Sequence, residues 1–444
     1  MTEKKRPLST RSVAKVKPAG SSASHGLGLT VNADPAELGL DADRLKRIGE
    51  RLGRYRDANL FPGYSVAVGR AGKVAYVHHA GLRDAEAALP VEADTVFRIY
   101  SMTKPVTAVA AMMLWEQGAF ELTDPVSNFI PSFADCRVYI KGTAAANLTV
   151  PVTEPVRIWH LLTHTAGLSY GFMRTHPVDE LYRNGGYEFG SPDGKTLAMA
   201  CDDWASIPLL FQPGSEWAYS VGLDVIGRVI EVVSGMTLDA FFDRHLFGPL
   251  GMVDTGFGCR PDQIDRLAAL YVPMGPAKSA IRYDLLGNEA TVHNPPLLAG
   301  GGGLVSTLKD YFRFQQMLLN GGELDGVRLL APSSVRNMGS NHLPGNADLE
   351  AYGRPLFSET PYPGVGFGLG VSVTIDPVES KTAGSVGDFG WGGAASTWML
   401  VDPVQDVTLT FMTQLLPSST HPIRTQLKQA LHQAIIGPSP RTVR

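Results

Sequence analysis

Cysteine is scarce in this 444-residue chain: there are three, Cys136, Cys201 and Cys259, odd in number and far apart. No pair has the close spacing of a redox or zinc motif, which argues against a disulfide framework and for a reducing, cytoplasmic setting. An excess of one charge is also lacking. Lysine and arginine number 39 against 43 acidic residues, a net charge of −4, so the cationic surface of a nucleic-acid binder is missing. No apolar run approaches the roughly 20 residues that cross a bilayer, and no membrane association is expected. The basic start, Lys4-Lys5-Arg6, leads to Pro18-Ala19-Gly20-Ser21-Ser22, where a secretory signal would carry its apolar segment. Residues 1–35 therefore read as a flexible basic tail. No phosphate-binding glycine fingerprint occurs, and no cofactor is expected.

What is present suits a globular chain: 44% hydrophobic and 18% charged residues, enough for a sizeable core. Asp41 or Asp43 can cap a helix with Leu45, Ile48, Leu52 and Tyr55 at helical spacing. Tyr64–Gly69 and Lys73–Val77 flank Ala71-Gly72 as a hairpin. Near the other end, Ser396–Val401 and Val407–Met412 form a second one around Asp402-Pro403. A last helix runs through Ile423, Leu427, Leu431 and Ile435, stopped by Gly437-Pro438. The middle is loop-rich and helical. The expected fold is α+β: an antiparallel sheet assembled from both chain ends and flanked by helices, residues 36–121 and 300–444, with an inserted helical domain at 122–299. The run Gly300-Gly-Gly-Gly303 marks the return to the sheet domain.

Three Ser-x-x-Lys pairs occur, Ser12/Lys15, Ser101/Lys104 and Ser306/Lys309. Residues three apart on a helix share a face, so the pattern can bring an amine to a hydroxyl. Ser12 lies in the tail, where nothing desolvates its lysine. Ser306 reads as the cap of an exposed helix beginning at Lys309. Ser101 opens a helix that is apolar nearly all round, Val106 to Trp115, which must be buried and takes Lys104 with it. Ser169, in Gly167-Leu-Ser-Tyr-Gly171, matches the nucleophile elbow of α/β-hydrolases, but helical rather than strand character precedes it. His160 and His164 have the spacing of a helical zinc pair. Leu161 stands where the metalloprotease motif needs glutamate, and no third ligand is in view, so no metal is expected.

Five motifs occur in one order: Phe97-Arg-Ile-Tyr-Ser-Met-Thr-Lys104, Leu122-Thr-Asp-Pro-Val126, Leu161-Leu-Thr-His-Thr-Ala-Gly-Leu168, Pro213-Gly214 leading to Tyr219-Ser220, and Ala299-Gly-Gly-Gly-Gly-Leu304. Over about residues 40–435 this resembles the β-lactamase-like serine hydrolases, which include class C β-lactamases, D-alanyl-D-alanine peptidases and the family-eight carboxylesterases. The resemblance implies Ser101 as nucleophile, Lys104 beside it and Tyr219 as proton carrier. Its oxyanion hole would be the N–H groups of Ser101 and Ala394. Its substrate-facing positions fall on Val221, Trp391, Gly392 and Gly393. For Tyr219 to act as a base its pKa must fall, with Lys104 as the cation that lowers it. Trp391 replaces the lysine of the lactamase Lys-Thr-Gly motif and Val221 the asparagine of Tyr-x-Asn. Both changes remove groups that hold lactams and peptides, and they point to uncharged, small-molecule esters. The expected activity is a serine carboxylesterase working through an acyl-enzyme. A β-lactamase or peptidase, an acyltransferase at the same site, and a non-catalytic ligand-binding relative are the alternatives.

Overall fold

Ala71 and Gly72 hold φ of +53° and +75°, as a two-residue hairpin turn requires, and they join Gly63–Arg70 to Lys73–Asp84 in antiparallel register. The computed structural model describes residues 28–188, 190–283, 295–355 and 357–441; Ser12, Lys15 and most of the basic tail lie outside them. Gly63–Arg70 also pairs with Val407–Met412, so the two chain ends meet in one sheet. Among the described residues it has eight strands, in the order Val365–Phe367, Ser372–Thr374, Phe389–Gly392, Trp398–Asp402, Val407–Met412, Gly63–Arg70, Lys73–Asp84 and Leu89–Pro90. Every pairing in it is antiparallel. This is the α+β architecture expected from the sequence.

Successive strand residues face opposite sides, and the burial follows that period. Val66, Val68, Trp398, Leu400, Leu409 and Phe411 pack with Leu45, Ile48 and Leu52 of helix Ala42–Asp57 and with Leu427 and Leu431 of helix Ile423–His432. Ala67, Met399, Val401 and Met412 belong to the core on the opposite side, which includes Phe312, Phe314 and Met317 of helix Leu308–Leu319. Asp41 caps the first helix, accepting from the Arg44 amide at 3.0 Å. The last helix ends at His432, short of the expected Ile435, which instead bridges to Leu40.

The strand after the glycine run, Leu304–Thr307, is the centre of a separate three-stranded sheet between Val96–Arg98 and Gly256–Phe257. The glycines serve packing: a Cβ on Gly300 would meet Leu223 O at 2.8 Å, and one on Gly301 would meet Asp224 Oδ2 at 2.3 Å. One local reading is corrected: Ser306 does not cap the following helix. It lies buried in that strand, its hydroxyl 2.8 Å from Thr255 Oγ1, while Thr307 accepts from the Asp310 amide. The helix itself is largely buried, and Gln315 donates to Leu400 O and Leu409 O, each at 3.0 Å.

Between residues 122 and 299 lie helices Ile158–Leu162, Pro177–Asn184, Leu197–Ser206 and Gly222–Ser234, and two hairpins that the sequence did not announce. Helix Thr103–Glu116 packs on helix Gly222–Ser234 and is buried continuously from Thr103 to Leu114. Full burial of Val106, Val109 and Met112, at roughly 1.5–3 kcal/mol each, offsets the cost of enclosing Lys104. Among the described residues no helix is long and apolar enough to cross a membrane.

Candidate active site

Tyr100 holds φ +43°, a left-handed value that costs of order 1–3 kcal/mol in a non-glycine residue and that the surroundings must enforce. It turns the chain sharply from strand Val96–Arg98 into the single turn Tyr100–Met102, which runs on into helix Thr103–Glu116. Ser101 sits in that turn, 9% exposed. Two groups converge on its oxygen. The Tyr219 hydroxyl donates to Ser101 Oγ at 2.5 Å, and the Lys104 ammonium nitrogen lies 3.2 Å away. Lys104 Nζ also donates to Gly301 O at 2.6 Å and stands 4.6 Å from the centre of the Tyr219 ring. Gly301 N–H in turn donates to Asp224 Oδ1 at 2.8 Å, which fixes the carbonyl that holds the lysine. Asp224 is the third residue of the amphipathic helix Gly222–Ser234 behind Tyr219, and no motif in the sequence singles it out.

Burial dominates the electrostatics. Lys104 is fully enclosed, and desolvation lowers its pKa to about 8, opposed by the carboxylates of Asp224 and Glu359. The expected fall of the Tyr219 pKa is not met: desolvation raises it well above 10, and Glu359 raises it further, while the Ser101 hydroxyl and the Trp391 indole oppose. Of the three groups, the lysine is the one that loses its proton nearest neutrality. The tyrosine stays a phenol. A hydroxyl between a near-neutral amine and a phenol donor can be deprotonated on one side and its leaving-group partner protonated on the other.

Tyr219 belongs to an aromatic cluster with Trp217, Phe367 and Trp391. Trp391 is 1% exposed, its ring 5.4 Å from that of Tyr219. Tyr170, 5.2 Å from Tyr219 and stacked on Phe172, joins this wall. Val221 faces elsewhere: its side chain is buried in the main core, and its amide donates to Ser169 O. The two glycines after Trp391 were expected to admit a ligand; their immediate reason is internal. A Cβ on Gly392 would lie 2.1 Å from Arg424 Cζ, and one on Gly393 would lie 2.2 Å from Ile99 O. Gly393 thus packs directly against the chain leading to Ser101. Ser396 N–H bonds back to Gly393 O at 3.0 Å and closes a tight turn. Within it Ala394 N–H has no protein acceptor among the described residues.

The rival residues are occupied elsewhere. Ser169 Oγ donates to Asp179 Oδ1 at 2.6 Å and is fully buried. The helix holding His160 ends at Leu162, so the two histidines do not share a helical face. His160 Nδ1 accepts from the Arg157 amide at 3.0 Å, and burial lowers its pKa to about 4. His164 has φ +57°, lies 3.1 Å from Ser220 Oγ and stands edge-on to Tyr219 at 5.0 Å. Asp388, Asp402 and His432 are clustered closely enough to hold a cation, but the Lys428 ammonium is already 2.9 Å from Asp388 Oδ1.

The chain has relatives among known proteins. Protein Rv1367c of Mycobacterium tuberculosis is 38% identical over 368 residues, covering 81% of this chain and 88% of its own. Esterase EstB of Burkholderia gladioli is 30% identical over 402 residues, covering 86% of this chain and 93% of its own. Among solved structures, EstCE1, described as a hydrolase with promiscuous acyltransferase activity, has a TM-score of 0.75 at 27% identity, covering 90% of this chain and all of that one. These likenesses support an enzyme of the serine-hydrolase and acyltransferase kind on a β-lactamase/transpeptidase-like fold. The family model for β-lactamase matches residues 50–433, from the first helix to the last, and takes in both the Ser101 turn and Tyr219: the chain belongs to the β-lactamase family.

Proposed function

We propose that the chain is a serine carboxylesterase that cleaves neutral short-to-medium acyl esters through an acyl-enzyme. The observation that carries this reading is the convergence of Tyr219 Oη and Lys104 Nζ on Ser101 Oγ, at 2.5 and 3.2 Å. Ser101 attacks the ester carbonyl while its proton passes to the free amine of Lys104. The carbonyl oxygen becomes an oxyanion, held by the N–H groups of Ser101 and Ala394. Tyr219 gives its proton to the leaving alkoxide and is recharged from Lys104. Water then enters along the reverse path and releases the acid. Taking 36–121 and 300–444 as one domain and 122–299 as the other, Ser101, Lys104 and Ala394 come from the first and Tyr219 from the second, so the cleft lies at their junction. Trp391 and Gly392-Gly393 line it beside the scissile bond.

The choice of esters over lactams rests on Trp391. A charge-assisted hydrogen bond to a substrate carboxylate is worth roughly 1.5–3 kcal/mol. A buried indole offers one neutral donor and no such bond. An anionic substrate would lose water without gaining a partner, at about tenfold in kcat/KM for each 1.4 kcal/mol. The expected result is efficient hydrolysis of p-nitrophenyl butyrate and little or none of benzylpenicillin, with kcat/KM measured on one preparation. Equal efficiency toward both would overturn the esterase reading. EstB, by its name an esterase, supports it; the acyltransferase activity in the description of EstCE1 favours a second reading, in which an alcohol replaces water at the deacylation step. Butyl ester formed from vinyl butyrate in aqueous butanol would reveal it.

The lysine sets the pH dependence. Its folded pKa of about 8 lies below the ordinary 10.5, so the amine is mostly charged at pH 7 and mostly free at pH 9. kcat/KM is expected to rise by about tenfold per unit at low pH and to level above about pH 8. An acid limb centred near 6 instead would point to another base.

A further inference from the structure

Arg424 lies in the first turn of the last helix, and its side chain is 17% exposed. The guanidinium reaches across to the turn after Trp391, where Nη2 donates to Gly393 O at 2.8 Å and to Thr397 O at 2.9 Å. Nη1 donates to Glu359 O at 2.7 Å, and the Glu359 carboxylate, 1% exposed, pairs with Nη2 at 2.7 Å. Ser418 Oγ holds the same carboxylate oxygen at 2.8 Å. Gly392 is glycine because the guanidinium carbon occupies the place of its Cβ. Neither carbonyl needs this arginine for want of a partner. Gly393 O already accepts from Ser396 N–H, and Thr397 O from Gly393 N–H, each at 3.0 Å. The charge is an addition to two carbonyls that already have partners.

The carbonyl of Gly393 and the N–H of Ala394 are the two ends of one peptide unit. In a trans peptide they point in opposite directions, and resonance couples them, so a cationic donor on the oxygen makes the N–H a stronger donor. We propose that Arg424, held by Glu359, is a positioning residue of the oxyanion hole: it fixes and polarises the Gly393–Ala394 peptide so that Ala394 N–H meets the oxyanion already oriented. The inference rests on the esterase reading and on Ala394 as an oxyanion donor. It names a residue for which no motif of the sequence gave a signal.

The test uses the full chain on the alkaline plateau of the pH profile, where the Lys104 amine is free. A trifluoromethyl ketone, which adds to a serine to give a tetrahedral oxyanion, serves as probe. In the wild type it should form its adduct on Ser101, seen by mass spectrometry; failure there would sink the esterase reading itself. Arg424→Ala is expected to lower kcat by about tenfold or more with KM little changed, and to weaken the ketone by a similar factor. Millimolar guanidinium should restore part of the loss. Arg424→Lys keeps the charge and loses the fork, and should fall between. Because Arg424→Ala strands a buried carboxylate, Glu359→Gln is the second variant, with a smaller fall in kcat and unchanged KM. An intact Ser101 adduct together with wild-type kcat in Glu359→Gln and Arg424→Lys would overturn this proposal and leave the esterase reading standing.

Discussion

Ser101→Ala is expected to lower kcat/KM for p-nitrophenyl butyrate by about 10⁵-fold or more, because without the oxygen there is no acyl-enzyme. The change removes one atom from a residue that is 9% exposed, so folding should survive. Two groups bonded to that oxygen lose a partner; Lys104 retains Gly301 O, and the Tyr219 ring keeps its packing against Trp391 at 5.4 Å. An organophosphonate should label the wild type on the peptide that holds Ser101. Ser169→Ala is the control. Its hydroxyl bonds to buried Asp179, so the variant should melt earlier while keeping most of its turnover. Label on Ser169, or an active Ser101→Ala enzyme, would end the assignment.

The features that the sequence reveals are those that local chemistry decides. Ala71-Gly72 can make a two-residue turn whatever surrounds it, and Asp41 caps its helix through a neighbour three residues away. The helix after Ser101 is apolar on every side, and such a helix has nowhere to go but the interior. From that alone the burial of Lys104 follows. Distant residues are a different matter. Asp224 reaches the site only because Gly301 leaves room for its carboxylate, and Arg424 only because Gly392 leaves room for its guanidinium. In both cases the glycine is visible in the sequence, but what fills the space beside it comes from about 77 and 32 positions away along the chain. Local patterns hold no record of such partners.

Ser306 and Thr307 are equally good capping residues by type, and both are buried and paired with Val96–Arg98; Thr307 caps because it stands directly before the helix, where its hydroxyl accepts from the Asp310 amide. For Tyr219, a nearby lysine suggested a lowered pKa. Yet the same enclosure that brings the amine close removes water from both groups, and each then resists its own charged form. The phenol keeps its proton, while the amine, with its pKa lowered to about 8, gives its proton up far more readily than an exposed lysine. That distribution is what supports the proposed roles of Lys104 as first proton acceptor and Tyr219 as donor.

Tyr219→Phe tests this division of labour. The substitution keeps the ring, its contact with Trp391 at 5.4 Å and its edge contact with His164 at 5.0 Å, and deletes only the hydroxyl that bonds Ser101. Melting temperature should change little. Turnover should fall by about 10²-fold or more, the usual weight of a positioned proton carrier. If Tyr219 protonates the leaving alkoxide, the loss should depend on what leaves. A phenyl ester such as p-nitrophenyl butyrate expels a stable phenolate that needs little help. An alkyl ester such as ethyl butyrate expels a basic alkoxide that cannot depart unprotonated. The Tyr219→Phe penalty should therefore be larger for the ethyl than for the p-nitrophenyl ester, while the acid limb near pH 8, which belongs to Lys104, stays where it is. A limb that moves with the substitution would make the tyrosine the base after all. Equal penalties for both esters would place its work in activating Ser101 rather than in releasing the alcohol.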